Sequence, residues 1–329
     1  MAGLRQDQVA LYVKDMYKAS RESYDEEPTV YQDVFKVKSG KEVTGAGNKE
    51  TQILGAGDFT RHTTEGQNVI FKSPVQGWEF LVRYWTFSDG LSLSKESVED
   101  TVKLGNLLKD LASTWGVSER VLKEEFAARV FNNGGATAGD YVFNGSHTGN
   151  TATYGDLLYD GKPMFNLSGN TRATKAGGTY YNAVSSLTSV TPANFETLYN
   201  LATKTNNRDE RDRIVRMTVD TVLTEAGEDA FDMDKVIHTQ RGLPGGQLND
   251  KNPYFGLIKK HIIWQYLTDG AFYVGKAQHS DFQFHERQMP EIRFWREEKN
   301  LGYLASCNLR FGVFIKNFRP WVRGGGTYV

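Results

Sequence analysis

The sequence predicts an α+β fold, and three observations support this prediction. One long segment, residues 94–133, has a clear helical period. Shorter helical segments follow at residues 191–205 and 228–240. Strand-like segments gather towards the end of the chain, at residues 257–266, 271–274, 283–295 and 301–314. With 329 residues, of which 39% are hydrophobic, the chain is long enough for about two domains with substantial cores.

The first elements of the chain are short. Residues 1–20 fit a helix with Val9, Tyr12, Val13 and Met16 on one side. Residues 21–30 are acidic and turn-like, and residues 31–38 fit a strand. The first 38 residues are therefore predicted to form a short helix, a turn and a strand.

An extended hairpin is predicted at residues 55–87, because turn residues separate strand-like arms at 67–72 and 75–87. Arms with polar and aromatic residues on both faces have little reason to fold alone, so we expect them to lie on another surface. An ordinary edge hairpin of a sheet is the alternative. The candidate contact residues are Arg61, Lys72, Trp78, Arg83 and Trp85.

The helix at residues 94–133 is the longest element. Its apolar residues recur at spacings of three, four or seven: Leu104, Leu108, Leu111, Trp115, Leu122, Phe126 and Val130. Glu119 and Lys123 are four residues apart, and we expect them to pair on its outer face. Unbroken, the helix would be roughly 57 Å long. Gly116 is its weak point, and a kink or two separate helices is the alternative.

Residues 134–190 are rich in Gly, Asn, Thr, Ser and Tyr, and a loop this long is expected to be functional or supported by a partner. Thr191 and Pro192 then fit the cap and first position of a helix. A strand is predicted at residues 214–223. On the predicted helices at residues 191–205 and 228–240, the residues expected to face inward are Phe195, Leu198, Leu201, Phe231, Val236 and Ile237.

Composition excludes several classes of protein. The net charge is −1, so no basic excess favours tight wrapping by nucleic acid. Cys307 is the single cysteine, which excludes a disulfide framework and fits a reducing cytoplasm. The N-terminus lacks the apolar core of a signal peptide, and no apolar run approaches the roughly 20 residues that span a bilayer. No membrane association is therefore expected.

Catalytic patterns are weak. Ser92 and Lys95 have the S-x-x-K spacing of acyl-enzymes, but the accompanying S-D-N and downstream K-T-G motifs are missing. The six histidines form no H-E-x-x-H motif, and there is no phosphate-binding G-x-x-x-x-G-K-[ST] loop. The sequence therefore predicts no catalytic, cofactor-binding or metal-binding residues and does not predict an enzyme.

The order of these parts resembles the major capsid proteins of tailed bacteriophages, which have the Hong Kong 97-type fold. Three local strings look similar to the Mu-like head-subunit branch. They are residues 88–92 leading into the acidic 95–100, residues 160–165 ahead of Gly169, and residues 301–321 with Arg319 and Pro320. Gly169 departs from the histidine that this branch often has there.

The resemblance implies a division of the chain. It comprises residues 1–54 as N-terminal arm and first peripheral strand, 55–87 as extended hairpin loop, 88–177 as peripheral domain with its spine helix at 94–133, 178–282 as axial domain, 283–317 as further peripheral strands, and 318–329 as the return to the axial domain and the tail.

The resemblance also implies a function. Such a chain would self-assemble as hexamers and pentamers into an icosahedral shell enclosing double-stranded phage DNA, which it would contact without sequence specificity. The candidate contact residues of the hairpin would then anchor neighbouring subunits. A scaffolding protein and portal would assist assembly in the host cytoplasm, and a decoration protein is a further partner. The final location would be the virion capsid.

Three alternatives remain at this point. An encapsulin-like compartment shell would share the fold and package protein cargo instead of DNA. A hydrolase would use Ser92 or Ser146 as its nucleophile. A monomeric or dimeric adhesion or binding module would account for the Gly-, Asn- and Tyr-rich middle of the chain.

Overall fold

The structure of the protein is a computed structural model. It describes residues 6–43, 45, 47–54, 59, 61–69, 71, 73, 75–94, 104–135, 163–169, 171–174, 177–205, 208–209, 211–214, 217–242, 251–268, 270–297 and 302–326. None of the helices within these ranges is long and apolar enough to cross a membrane.

Helices and strands are mixed along the chain, as the sequence predicts. In order they are α1 (Gln6–Asp25), α2 (Tyr31–Val34), β1 (Lys36–Ser39), β2 (Gly47–Leu54), β3 (Val75–Arg83), β4 (Trp85–Leu93), α3 (Leu104–Asn132), β5 (Arg172–Ala173), β6 (Thr179–Tyr180), β7 (Ala183–Val184), α4 (Pro192–Asn200), β8 (Thr221–Thr224), α5 (Glu228–His238), β9 (Lys260–Ile263), β10 (Ala271–Gly275), β11 (Phe282–Arg296), β12 (Tyr303–Ile315) and β13 (Trp321–Gly325).

The predicted long helix is α3, which has 29 residues and is unbroken between Leu104 and Asn132. At about 1.5 Å per residue it is roughly 44 Å long. Residues 95–103, the predicted first turns, lie outside the described residues. The alternative of two helices is wrong, because α3 continues through Gly116. This glycine is the point where α1 crosses: a β-carbon there would lie 2.2 Å from the backbone oxygen of Ser20.

A four-stranded sheet with the order β1-β11-β12-β4 packs against α3 and α1. Its centre is the long antiparallel pair of β11 and β12, which runs from Phe282 opposite Ile315 to Arg296 opposite Tyr303. The predicted strands at residues 283–295 and 301–314 are confirmed. The first half of α3 packs with Met16 of α1 on one end of this sheet. Its second half, with Phe126 and Phe131, packs on the other end.

A second sheet has five strands in the order β7-β13-β10-β8-β9. Helices α4 and α5 cover it with Phe195, Leu198, Val236 and Ile237, which are buried as predicted. Phe231, also predicted to face inward, is 72% exposed, and that prediction is wrong because Phe231 lies on the outer side of α5. Thr191 caps α4, since its Oγ1 accepts a hydrogen bond from the Asn194 N–H at 3.2 Å. The last strand, β13, lies inside this sheet, so the chain's end returns to strands from its middle.

Several predicted boundaries are wrong for identifiable reasons. Helix α1 continues to Asp25 through part of the expected turn. Residues 31–34 form α2 instead of a strand, because Glu124 accepts the N–H groups of Val30 and Tyr31. The strand expected at 214–223 is β8, residues Thr221–Thr224. Such boundaries depend on partners distant in sequence, which local patterns do not contain.

The hairpin arms are β2 and β3, which pair antiparallel from Gly47 opposite Arg83 to Leu54 opposite Val75. The hairpin therefore begins at residue 47, not 55. The first arm, GNKETQIL, does not alternate apolar with polar residues, so the sequence pattern did not predict it as a strand. It is defined by its backbone pairing with β3, and the start of the hairpin was therefore predicted too late. Trp85 belongs to β4 in the four-stranded sheet and not to the hairpin.

Candidate subunit interface

The described side chains at the tip of the hairpin are exposed, except that of Gln67, which is half-buried. Within the described residues, β2 and β3 form a separate two-stranded sheet. Beyond their paired ends, Phe59 is fully exposed, Phe71 is 94% exposed and Val69 is 63% exposed. Exposed aromatic side chains at this density are typical of a surface that a partner covers.

The five candidate contact residues have different environments. Arg61 is exposed at the hairpin tip. Trp78 and Arg83 lie in β3, and Lys72 lies outside the described residues. Trp85 is half-buried and packs against the core beneath the four-stranded sheet. The sequence pattern did not single out Phe59 and Phe71, because aromatic residues beside turns do not reveal their own exposure.

The base of the hairpin, in contrast, is fixed to the four-stranded sheet. Tyr84 directly follows β3 and is buried, and its hydroxyl lies 3.1 Å from Nδ1 of His285. The other ring nitrogen of His285, Nε2, is 2.8 Å from Oε1 of Gln283, and its ring stacks on Phe314. Burial raises the pKa of Tyr84. The base of the hairpin is thus anchored to the sheet, whereas the described residues of its tip are mostly exposed.

A buried charged cluster ties α3 to the sheet. Nζ of Lys123 lies 2.7 Å from Oε1 of Glu119 and 2.7 Å from Oε1 of Glu286, a residue of β11. Tyr31 donates to the same Glu286 oxygen at 3.1 Å, and its hydroxyl is 3.0 Å from that of Tyr24. The predicted pair of Glu119 and Lys123 is confirmed, but its predicted position on the outer face is wrong, because both residues are buried.

The pKa values in this cluster follow from burial and charge. Burial opposes the charge of Lys123, but the carboxylates of Glu119 and Glu286 outweigh it, so the pKa of Lys123 is raised. Burial also raises the pKa of Tyr31, and the nearby Glu286 raises it further. The cluster joins α1, α2, α3 and β11 at one buried point.

Glu124, the next residue of α3, makes a second junction. One carboxylate oxygen accepts the N–H groups of Val30 and Tyr31, at 2.5 and 3.2 Å, and the other accepts Nε1–H of Trp264 at 2.6 Å. Burial raises the pKa of Glu124, against these hydrogen bonds. The junction fixes the N-terminal arm and the residue after β9 to the same point on α3.

The residues considered for catalysis are only partly described by the structure. Ser92 is exposed on β4 opposite Leu304, and Ser146 lies outside the described residues. His285 is buried under the hairpin base, and His261 lies on β9 with Nε2 2.8 Å from Oγ1 of Thr224. Across the described ranges, no three His, Cys, Asp or Glu residues are grouped as metal ligands would be.

Comparisons with known proteins support a fold and not a sequence family. No protein-family model matches the chain, and no curated protein matches its sequence. Solved structures do match it over nearly its full length. A structure from Mycobacterium phage Patience shares 13% identity over 100% of this chain and 92% of its own, with a TM-score of 0.52.

Two further structures agree. The capsid structure of the cyanophage P-SCSP1u shares 7% identity over 92% of this chain and 89% of its own, with a TM-score of 0.51. The mature capsid of bacteriophage PhiM1 shares 8% identity over 92% and 88%, also with a TM-score of 0.51. The chain has the Hong Kong 97-type phage capsid fold. The fold that the resemblance implied is thereby confirmed, and the Mu-like branch stays a prediction.

Proposed function

We propose that the chain is the major capsid protein of a tailed bacteriophage, a structural subunit without enzymatic activity. One observation carries the proposal: a chain with the phage capsid fold presents a two-stranded hairpin with two exposed aromatic residues, Phe59 and Phe71, at its tip. These aromatic side chains are not buried in the folded monomer and therefore do not contribute to its stability. We infer that a neighbouring copy of the chain covers them.

The proposed assembly follows the division of the fold. The four-stranded sheet with α1 and α3 would be the peripheral domain, and the five-stranded sheet with α4 and α5 the axial domain. Hexamers and pentamers would form through heterologous contacts that close into rings and build an icosahedral shell. The shell would enclose double-stranded DNA, held without sequence reading, and would form in the host cytoplasm with a scaffolding protein and portal. A decoration protein could bind its surface.

The experiment removes the tip and keeps the stem. Leu54 and Val75 are paired, so replacing residues 55–74 by Asn-Gly joins β2 to β3 through a two-residue turn. Wild-type and shortened chains are co-expressed with the genes that flank this one and examined by negative-stain microscopy and size-exclusion chromatography. We expect shells from the wild type and folded, unassembled subunits from the shortened chain.

Two results would decide against the proposal. A wild-type chain that stays a monodisperse monomer under all conditions would exclude a shell protein. Shells of normal size from the shortened chain would exclude the hairpin as an interface. The nucleic-acid content of purified wild-type shells separates a phage capsid from a compartment that packages protein.

A further inference from the structure

Two residues of β11 hold the base of the hairpin by hydrogen bonds. On one arm, the hydroxyl of Tyr84 lies 3.1 Å from Nδ1 of His285. On the other arm, the backbone oxygen of Gly45, just ahead of β2, accepts a hydrogen bond from Nε of Arg287 at 3.1 Å. Arg287 is the extra residue at a bulge of β11, and a bulge redirects the side chain that it carries.

The hydrogen bonds of His285 assign its tautomer. The amide Nε2 of Gln283 donates to the backbone oxygen of Ser280, so Oε1 of the same amide is an acceptor. Nε2 of His285 lies 2.8 Å from this Oε1 and therefore carries the ring hydrogen. Nδ1 is then bare, and it accepts the hydroxyl hydrogen of Tyr84. The bond that holds this arm of the hairpin thus has its present form only while the ring is neutral.

His285 is buried among positive charges. Its ring is 1% exposed and stacks on Phe314. The partner of His285 in β1 is a lysine. Two arginines oppose, by their positive charge, the rise that burial causes in the pKa of Tyr84. A second lysine lies 5.5 Å from the ring centroid of Phe314. Among the described residues, these four cations are Lys38 of β1, Arg287 of β11, and Arg310 and Lys316 of β12.

A proton on Nδ1 of His285 would disrupt this arrangement. Nδ1 would become a donor that faces the hydroxyl hydrogen of Tyr84, and the ring would carry a buried charge among cations. The neighbouring carboxylate of Glu286 points to the opposite face of the sheet, where it lies 2.7 Å from Nζ of Lys123. The bond from Arg287 to Gly45 would remain, because a guanidinium keeps its charge. One of the two contacts is therefore sensitive to acid and the other is not.

We propose that His285 is a proton-controlled hinge for the hairpin. At neutral pH the hydroxyl of Tyr84 binds the neutral ring and holds the hairpin in one orientation on the sheet. When the ring is protonated, this bond is lost and the hairpin turns about the remaining contact of Arg287 with Gly45. Tyr84 is the single residue between β3 and β4, so its release acts at the junction of hairpin and sheet. The hinge works within one subunit and so lies beyond the proposed function.

Distances between two spin labels in the unassembled subunit test the hinge. Cys307 is replaced by Ala, and Thr63→Cys at the exposed hairpin tip is combined with Ser92→Cys on β4. An excess of unlabelled chain ensures that the distances lie within one copy. We expect one narrow distribution at pH 7.5 and a broad or displaced one in acid, below about pH 6.5, where histidine ordinarily gains its proton. Near-UV circular dichroism identifies the pH values at which the subunit is folded.

Three variants separate the hinge from other titrating groups. Tyr84→Phe lacks the hydroxyl and should give the broad or displaced distribution already at pH 7.5. His285→Gln cannot gain the proton, so its distribution should be the same at both pH values. The matched control is His62→Gln, a change at an exposed histidine of the tip, which should keep the pH response of the wild type.

Three results would overturn the inference: a wild-type distribution that stays narrow in acid, a pH response that persists in His285→Gln, or a narrow wild-type distribution in Tyr84→Phe at pH 7.5. The last needs neither acid nor a change at His285, so it decides the question even where His285→Gln does not fold. Because the distances are measured in the unassembled subunit, a wild type that forms no shells would refute the proposed function and leave the hinge unaffected.

Discussion

At the scale of single residues, the buried charges of α3 are the least expected feature of the protein. Lys123 lies between two carboxylates and over the ring of Tyr24, 5.0 Å from its centroid. Charges are costly to bury, and such a cluster is tolerated because its members satisfy one another. Removing one member leaves the remaining charges buried without a partner, which lowers the free energy of unfolding.

Lys123→Met should therefore lower the free energy of unfolding by about 3–5 kcal/mol, because two carboxylates remain in the core without a cation. Urea denaturation of the isolated subunit measures the loss. The matched control is Lys109→Met, which removes a half-exposed lysine from the same helix, α3. Its Nζ lies 3.1 Å from Oδ2 of Asp15 in α1. Its effect should be at most about 1 kcal/mol, and equal effects for the two variants would contradict the account of the cluster.

Stability should also fall as the pH is lowered below about 6.5, the ordinary pKa of histidine. Burial lowers the pKa of His261 in the folded chain, so below that pH the unfolded chain binds a proton that the folded chain does not. This contribution is present at neutral pH and is lost as the pH falls through the folded-state pKa.

His261→Gln should reduce the difference in unfolding temperature between pH 7.5 and pH 5.5. His62→Gln, a change at an exposed position of the hairpin tip, is the control and should keep the wild-type difference. An unchanged difference in His261→Gln would rule out His261 as a source of the pH dependence.

At the scale of elements, the crossing of α1 over α3 depends on a missing side chain. The backbone of Ser20 approaches Gly116 so closely that a β-carbon would be 2.2 Å from the oxygen and 3.1 Å from the Tyr24 nitrogen. Both obstacles are backbone atoms, which cannot turn aside as a flexible side chain would. The N-terminal arm therefore packs at a distance that only glycine permits.

Gly116→Ala should destabilise the subunit by about 1–3 kcal/mol, because the helices must separate. Gly105→Ala is the matched control on the same helix, since its β-carbon would make an ordinary contact, 3.4 Å from Cε1 of Tyr12. That control should be neutral or stabilising by up to about 1 kcal/mol, because alanine favours helix. Thermal unfolding compares the two, and a neutral Gly116→Ala would show that the crossing can relax.

At the scale of the whole molecule, the surface that we propose for assembly lies outside the core of the monomer. The two sheets share one continuous core through Phe131, Trp264 and Trp321, while Phe59 and Phe71 at the hairpin tip remain exposed. Stability and assembly are therefore controlled by different residues, and substitutions should separate them.

The double change Phe59→Ser and Phe71→Ser should leave the unfolding free energy of the subunit within about 0.5 kcal/mol, since both side chains are exposed. Assembly should weaken by at least about thirtyfold, the effect of losing roughly 2 kcal/mol at an interface hot spot. Light scattering during assembly measures it. Thr63→Ala with Thr64→Ala, at the same tip, should assemble normally, and equal assembly by both double variants would refute the role of the aromatic residues.

The sequence by itself determined the elements whose burial follows a local period. The apolar spacing of α3 predicted the burial of Leu104, Leu108, Trp115, Phe126 and Val130, but not that of Glu119 and Lys123, which were expected on the outer face. The alternating strands β11 and β12 and the Thr191 cap of α4 were also predicted from the local sequence. The spacing of apolar residues within one helix or strand indicates which of its faces is buried, so the local sequence is enough to predict that face.

Only the tertiary structure decided features that depend on distant partners. The predicted strand at Tyr31 is a short helix instead, because Glu124 accepts hydrogen bonds from the backbone there. Lys123 is buried because it pairs with Glu286. The pairing of β2 with β3 sets where the hairpin begins, and the position of α5 on the sheet turns Phe231 outward. In each case the deciding contact joins residues far apart in the chain, and the free energy of that contact outweighs the weak local preference.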